Sequence, residues 1–214
     1  MNEKALEYLN RDRLLHIDML EALKRGAGEV VFAHGDGVVV LNADYTYMIS
    51  AESEETLERI CAEIKRPELI AMHQARFVPF LQSKYEYKHS MVCFQCAYMS
   101  GEKLDIRISE GIELRALTMD KLDFVFENYD HPSDRSYIAE RLEAGMIGAF
   151  CGDDIAGFVG THTEGTMGML QVMPEYRRRG IAYTLEAAMI NNMLDKGYVP
   201  HAHIVTTNGA SVKL

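Results

Sequence analysis

The sequence lacks any apolar run approaching the roughly 20 residues of a membrane span. It also lacks the cysteine density of a disulfide framework. Cys61, Cys93, Cys96 and Cys151 stand scattered through 214 residues, which points to a reducing cytoplasm. The opening Met1-Asn2-Glu3-Lys4 is polar, and Leu6, Leu9, Leu14 and Leu15 follow among charges rather than in the continuous apolar segment of a signal peptide. Basic residues are in deficit: 22 Lys and Arg against 32 Asp and Glu give a net charge of -10. That charge repels polyanions and argues against a sequence-independent nucleic-acid binder or a protein of anionic membrane surfaces. No charged tail is present. Residues 1–110 carry 13 basic and 18 acidic residues and residues 111–214 carry 9 and 14, so each half stands at -5.

What is there is ordinary globular material, 48% hydrophobic and 25% charged, long enough for one large domain or two small ones. Residues 3–24 place Leu6, Leu9, Ile17, Leu20 and Leu23 at helical spacing, and Gly26 and Gly28 stop the predicted helix. Three short strands follow, Val30 to Ala33, Val38 to Leu41 and Tyr45 to Ile49, separated by Gly35-Asp36-Gly37 and Asn42-Ala43-Asp44 turns. Ser53 then starts a short helix with Thr56, Leu57 and Ile60. Beyond Pro67 the pattern predicts a strand at residues 69–71, a helix over 73–82, strand-like segments over 85–99 and 103–108, and a boundary between Gly101 and Gly111.

The second half repeats this outline without residue-level similarity. A strand at residues 112–116 and helices over 119–126 and 134–144 precede strands at 147–151, 155–163 and 167–172. A helix from Gly180 carries Ile181, Leu185, Ala188, Met189 and Met193 on one face and stops at Gly197, before a last strand over 199–206. The reading is α/β, in two halves, 1–110 and 111–214.

The most informative segment runs from a strand through a turn into a helix: Met169-Leu170-Gln171-Val172-Met173-Pro174-Glu175-Tyr176-Arg177-Arg178-Arg179-Gly180-Ile181-Ala182. Pro174 ends strand pairing, and the first turn of a helix leaves N–H groups without internal partners. Gly180 allows backbone to approach a ligand, small Ala182 keeps the helix start uncrowded, and the helix dipole favours a phosphate. The alternative for three consecutive arginines is a solvated turn.

This segment resembles the diphosphate loop of the GNAT superfamily of acyl-coenzyme A dependent N-acyltransferases, whose pattern Gln/Arg-x-x-Gly-x-Gly/Ala matches Arg177 to Ala182. The context extends the resemblance over residues 112–214: Val172-x-Pro174-x-Tyr176 before the loop, an amphipathic helix after it, and a strand ending before Asn208-Gly209-Ala210-Ser211. The turn Gly160-Thr161-His162-Thr163-Glu164-Gly165 is similar to one in the glycine N-acyltransferase-like branch, whose first half is a degenerate GNAT-like unit without a diphosphate loop. The acidic run Glu52-Ser53-Glu54-Glu55 suits such a half, because phosphate needs the opposite sign.

The resemblance implies a mixed, mostly antiparallel sheet flanked by helices. It implies acetyl-coenzyme A as co-substrate, no metal, and a primary amine of a small molecule or amino acid as acceptor. By the family pattern, the backbone at Leu170, Gln171 and Val172 holds the pantetheine arm, with an amide near Val172 polarising the thioester carbonyl. Arg177, Arg178, Arg179, Gly180, Ile181 and Ala182 form the diphosphate loop, their backbone amides holding the diphosphate, and Asn208 meets the pantetheine arm. A base must neutralise the amine, and Glu164 is the first candidate, His162 the second; a plain polar turn is the competing reading of Glu164. The proton-donating tyrosine of many members falls at position 215, past Leu214, so the sequence leaves two expectations: a domain truncated here, or a fold completed by the first half. A non-catalytic acyl-coenzyme A sensor is the alternative function.

Three further constellations carry bland readings. Cys93-Phe94-Gln95-Cys96 has metal-ligand spacing but no second cysteine pair, which favours buried strand cysteines. His201-Ala202-His203 puts two imidazoles on one strand face without a nearby carboxylate. The polar loop of residues 129–133 suits an acceptor site or a simple turn.

Overall fold

The computed structural model describes residues 2–64, 67–129 and 134–214. Two compact units emerge. The first comprises Met1–Ala97 with Thr163–Gly165 and Ile204–Asn208; the second comprises Tyr98–His162, Thr166–His203 and Gly209–Leu214.

In the first unit, helices α1 (Asn2–Leu9) and α2 (Ile17–Arg25) precede strands β1 (Gly28–His34), β2 (Gly37–Asn42) and β3 (Tyr47–Ala51), then α3 (Glu54–Glu63), β4 (Ile70–Met72) and α4 (Val78–Tyr85). The sheet order is β1-β2-β3-β4, antiparallel except for the parallel β3–β4 pair. Period-2 alternation sends Val38, Val40 and Met48 to one core with α1 and α2, and Val39 and Ile49 to another with α3. Ser53 caps α3, its side chain accepting from the Thr56 N–H.

The helix expected over residues 3–24 is broken. A 3-10 turn at Asn10–Asp12 and a bend at His16 interrupt it. Asp12 Oδ1 accepts from the Leu15 N–H at 3.0 Å, and the His16 ring turns inward, bonding the Leu9 carbonyl at 3.0 Å and Ser50 Oγ at 2.8 Å. Buried polar pairing outweighs continued helical periodicity here.

The sheet that includes the second-unit strands has the order β5-β10-β9-β8-β7-β6. Its strands are β5 (Cys93–Ala97), β6 (Glu113–Ala116), β7 (Ile147–Cys151), β8 (Asp154–Thr161), β9 (Met167–Val172) and β10 (His201–Val205). Within the second unit, α5 (Leu122–Asn128) and α6 (Arg135–Gly145) share a core with Phe150, Phe158 and Met169. The long helix α7 (Ile181–Asp195) shares another with Ala149, Ala156 and Val159. A one-turn helix, α8 (Gly209–Val212), follows β10.

Two strand expectations change. Only Cys93–Ala97 of residues 85–99 is a strand, and Cys93 and Cys96 are exposed rather than buried. Residues 103–108 form no strand but run along α7. Leu104 exchanges two 2.8 Å bonds with the Asn191 amide, Thr184 Oγ1 donates to the Arg107 carbonyl at 2.7 Å, and Ser109 Oγ donates to the Arg179 carbonyl at 2.5 Å. Side-chain to backbone bonds replace a ladder there, which alternation alone cannot distinguish from a strand.

Candidate functional site

β9 is not a regular strand. Its pairing with β8 runs Gly157↔Val172 and Phe158↔Gln171, then shifts to Gly160↔Gly168, so Met169 and Leu170 oppose the single residue Val159. The extra residue of such a bulge drops out of the ladder and bends the strand. Met169 takes the bend with φ 52, a left-handed conformation that an unbranched but bulky side chain adopts at a cost of roughly 1–3 kcal/mol. Gly157 permits the close approach on β8, where a Cβ would lie 2.7 Å from the Gln171 carbonyl oxygen. On its other side β9 pairs in parallel with β10 at Ala202↔Met167. Leu170, Gln171 and Val172 therefore lie on a bent, part-buried strand end.

Past β9, a 3-10 turn at Pro174–Tyr176 leads into the arginines. Each is used differently. Arg177 Nε donates back to the Val172 carbonyl at 3.1 Å. The Arg179 guanidinium lies 5.6 Å from the Tyr176 ring centroid and reaches the Glu110 carbonyl at 3.4 Å. Arg178 is exposed, has φ 61, and has no side-chain partner among the described residues. Gly180 closes the loop at φ 76, and a Cβ built on it would meet nothing within 4 Å. The helix begins immediately after it: the Thr184 N–H donates to the Gly180 carbonyl at 3.0 Å. The N–H groups of Ile181, Ala182 and Tyr183, in the first turn, have no carbonyl four residues back to accept them. Open space over a left-handed glycine, first-turn amides, the positive end of a 15-residue helix and an exposed guanidinium together fit a diphosphate.

His162 directly follows β8, its N–H donating to the Thr166 carbonyl at 2.9 Å. Its ring is held on two sides. Nδ1 lies 2.6 Å from the Tyr137 hydroxyl of α6, and Nε2 lies over Gly168, where a Cβ would collide with it. Tyr137 has no motif to reveal it in the sequence. Gly168 left a faint signal, as an isolated glycine inside a strand pattern marks a bulge or a close approach.

The second unit thus contains His162, Leu170, Gln171, Val172, Arg177, Arg178, Arg179, Gly180, Ile181 and Ala182, whereas Glu164 and Asn208 fall in the first. Beside Glu164, Gly165 has φ 96 and presents its bare Cα to Arg25, whose Nε would be 2.5 Å from a Cβ there. The Asn208 N–H donates to the Val205 carbonyl at 2.8 Å. His201 is buried and its Nδ1 donates to the Val199 carbonyl at 3.0 Å, while His203 is exposed, so the pair does not act as one face. All four cysteines are free, and among the described residues no cluster of three metal-ligating side chains occurs. In the polar loop, Tyr129 packs against the core shared with α5 and α6; residues 130–133 lie outside the described residues.

Residues 145–214 match the family model of FR47-like proteins, a span of about a third of the chain. No curated protein matches the sequence. Among solved structures, a Drosophila protein aligns with a TM-score of 0.65 at 18% identity over 83% of this chain and 68% of its own. A GCN5-related N-acetyltransferase-like protein from Streptococcus suis aligns at 0.53 and 11% identity, covering 98% of this chain and 92% of its own. A GCN5-related N-acetyltransferase from Kribbella flavida gives 0.54 and 12%, over 92% and 87%. At these identities the likeness is one of fold: the chain has the mixed, mostly antiparallel α/β fold of GNAT proteins.

Proposed function

We propose that this protein is a GNAT-type N-acetyltransferase that binds acetyl-coenzyme A at the loop after β9 and transfers the acetyl group to a primary amine of a small molecule or amino acid. The observation that carries this reading is the loop after β9, where Gly180 is left-handed with open space above it at the start of α7. The amides of Arg178, Arg179, Gly180, Ile181 and Ala182 hold the diphosphate; Arg177 braces the loop against Val172, and Arg178 adds charge. Leu170, Gln171 and Val172, on the bent end of β9, offer main-chain groups to the pantetheine arm, and Asn208 is assigned to the same arm by the family pattern. When bound, the thioester supplies an activated acyl carbon.

The chain's own part in the chemistry is proton handling and positioning. His162 is the candidate base for the incoming ammonium, its ring held in place by the 2.6 Å hydrogen bond between Nδ1 and the Tyr137 hydroxyl. Glu164 is the alternative base. The glycine N-acyltransferase-like branch is the finer assignment, supported by the turn that carries His162 and Glu164. In that assignment residues 1–110 form a GNAT-like half that binds no coenzyme A, residues 111–214 form the catalytic domain, and the protein works in the cytoplasm.

Gly180→Glu tests the cofactor site. A carboxylate placed over the helix N-terminus repels a diphosphate, so calorimetry of the folded variant should find coenzyme A binding lost. Unchanged affinity in a variant with the wild-type circular dichroism spectrum would sink the proposal. Arg178→Ala should be mild, because backbone amides carry most of the contact.

A further inference from the structure

β1 departs from alternation in the first unit. Its register with β2 shifts between Val30 and Phe32, which makes Val31 the extra residue of a bulge. Val30 and Ala33 join the core with α1 and α2, whereas Val31 and Phe32, consecutive in sequence, both pack into the core that includes α3. The bulge therefore re-aims two apolar side chains towards α3. Val31, Phe32 and Ala33 of the strand, with Ala62 of α3, line an open hollow of about 440 Å³, a size within the range of small-molecule sites. Three polar side chains complete its lining: His34, Arg59 and Glu63.

Arg59 and Glu63 stand four residues apart on α3, the spacing at which opposite charges on a helix meet, yet they do not pair. Arg59 is held elsewhere. Its Nη2 donates to Asp36 Oδ2 and, at 3.1 Å, to Thr56 Oγ1. His34 Nδ1 lies 2.7 Å from Asp36 Oδ1, so one carboxylate fixes both basic side chains. Arg59 Nε is buried with no hydrogen-bond partner, and Nη1 has none among the described residues. Glu63 is exposed and also has no side-chain partner among the described residues. It ends α3, whose last turn contains no basic residue. A carboxylate there faces the negative end of the helix dipole, and a cation would relieve both. Unused donors and an unpaired carboxylate thus share one apolar hollow.

We propose that this hollow binds a free α-amino acid with an apolar side chain. Its carboxylate takes the Arg59 guanidinium, with His34 beside it, and its ammonium takes Glu63 at the C-terminal end of α3. Its side chain covers Val31, Phe32 and Ala62. Side chains four residues apart on a helix have Cβ atoms about 5–6 Å apart, so one amino acid reaches both charges. Charge selects this ligand. An acid without an amine leaves Glu63 unpaired and brings a second negative group to the end of the helix, and an amine without a carboxylate is repelled by Arg59. A zwitterion satisfies both and adds no net charge. The apolar floor adds the burial that a bare zwitterion such as glycine would forgo. This site does not depend on the acyl-transfer reading.

Calorimetry of the full chain against L-leucine, without coenzyme A, should find saturable binding, and none at dissociation constants up to about 10 mM would overturn the proposal. Two analogues keep the side chain and lose one charge each. Both 4-methylpentanoate, which lacks the amine, and 3-methylbutylamine, which lacks the carboxylate, should bind roughly tenfold or more weakly than L-leucine. Equal binding by 4-methylpentanoate would make this a simple anion site and overturn the zwitterion. Glu63→Gln, at an exposed and unpaired position, should keep the wild-type circular dichroism spectrum and weaken L-leucine roughly tenfold or more, without weakening 4-methylpentanoate. Arg59→Gln, checked by the same spectrum, should weaken both ligands, and unchanged binding of 4-methylpentanoate would contradict the carboxylate assignment. A folded Glu63→Gln variant that binds L-leucine as tightly as wild type would place the amino acid elsewhere on the chain and overturn the proposal.

Discussion

His162 illustrates how one residue's role depends on a neighbour that has no side chain. Its ring fits because Gly168 leaves room under Nε2, and its Nδ1 is fixed by Tyr137 at 2.6 Å. Gly168→Ala should displace the imidazole and lower kcat about 10²-fold or more if His162 is the base, with coenzyme A affinity nearly unchanged. Tyr137→Phe should move the acid limb of the kcat/KM profile without removing it, which a purely structural role for the hydroxyl would not do. Glu164→Gln is the discriminating partner experiment: if it instead abolishes that limb while Gly168→Ala remains active, the base is Glu164.

At the scale of elements, ends and breaks were decided by side chains bonding backbone. Ser53 starts α3 by accepting from the Thr56 N–H, and Thr56 in turn donates to Asp36 Oδ2 at 2.6 Å, where Arg59 also binds. Ser53→Ala should cost about 1 kcal/mol in the first unit, a typical price for a lost cap, and chemical denaturation followed through that unit would measure it. No loss would mean that Thr56 holds the helix start alone. The segment over residues 103–110 obeys the same logic without forming an element. Its bonds to Asn191, Thr184 and Arg179 give it a fixed path along α7 and past the arginine loop.

For the molecule as a whole, the pH dependence of stability follows from two buried histidines in the first unit. Burial pushes His16 below its ordinary value of about 6.5; the Leu9 carbonyl opposes this, and the neighbouring His73 adds to it. Burial would also lower His73, but the Asp18 carboxylate at 2.9 Å, with its hydrogen bond and charge, more than compensates and raises it. The two contributions have opposite signs. A lowered His16 favours the fold above about pH 6.5, and this stability is lost as pH falls toward its folded value. A raised His73 favours the fold below about pH 6.5, and that stability is lost as pH rises through its folded value. Amide-exchange protection in β2 and β3, corrected for intrinsic rates, should therefore peak near pH 6.5, and His16→Asn should flatten the acid side. Protection that climbs steadily from acid to alkaline pH would contradict the assignment of His73.

Much of the fold was legible locally. The strands Ile147–Cys151, Asp154–Thr161 and Met167–Val172 alternate with period 2, turns of Gly and Asp separate the first two, and α7 follows its stripe from Ile181 to Met193, because these signals depend on neighbours in sequence. The arginine loop was legible for the same reason, its strand, proline and glycine being contiguous. Tertiary structure alone decided the break at His16, which answers to Ser50, and the bulge at Met169, which needs β8 to be out of step. It alone decided the pairing of His162 with Tyr137, 25 residues apart, and the station of β5 beside β10. Each of these depends on groups distant in the chain, whose bonds outweigh local preference only once the chain has folded.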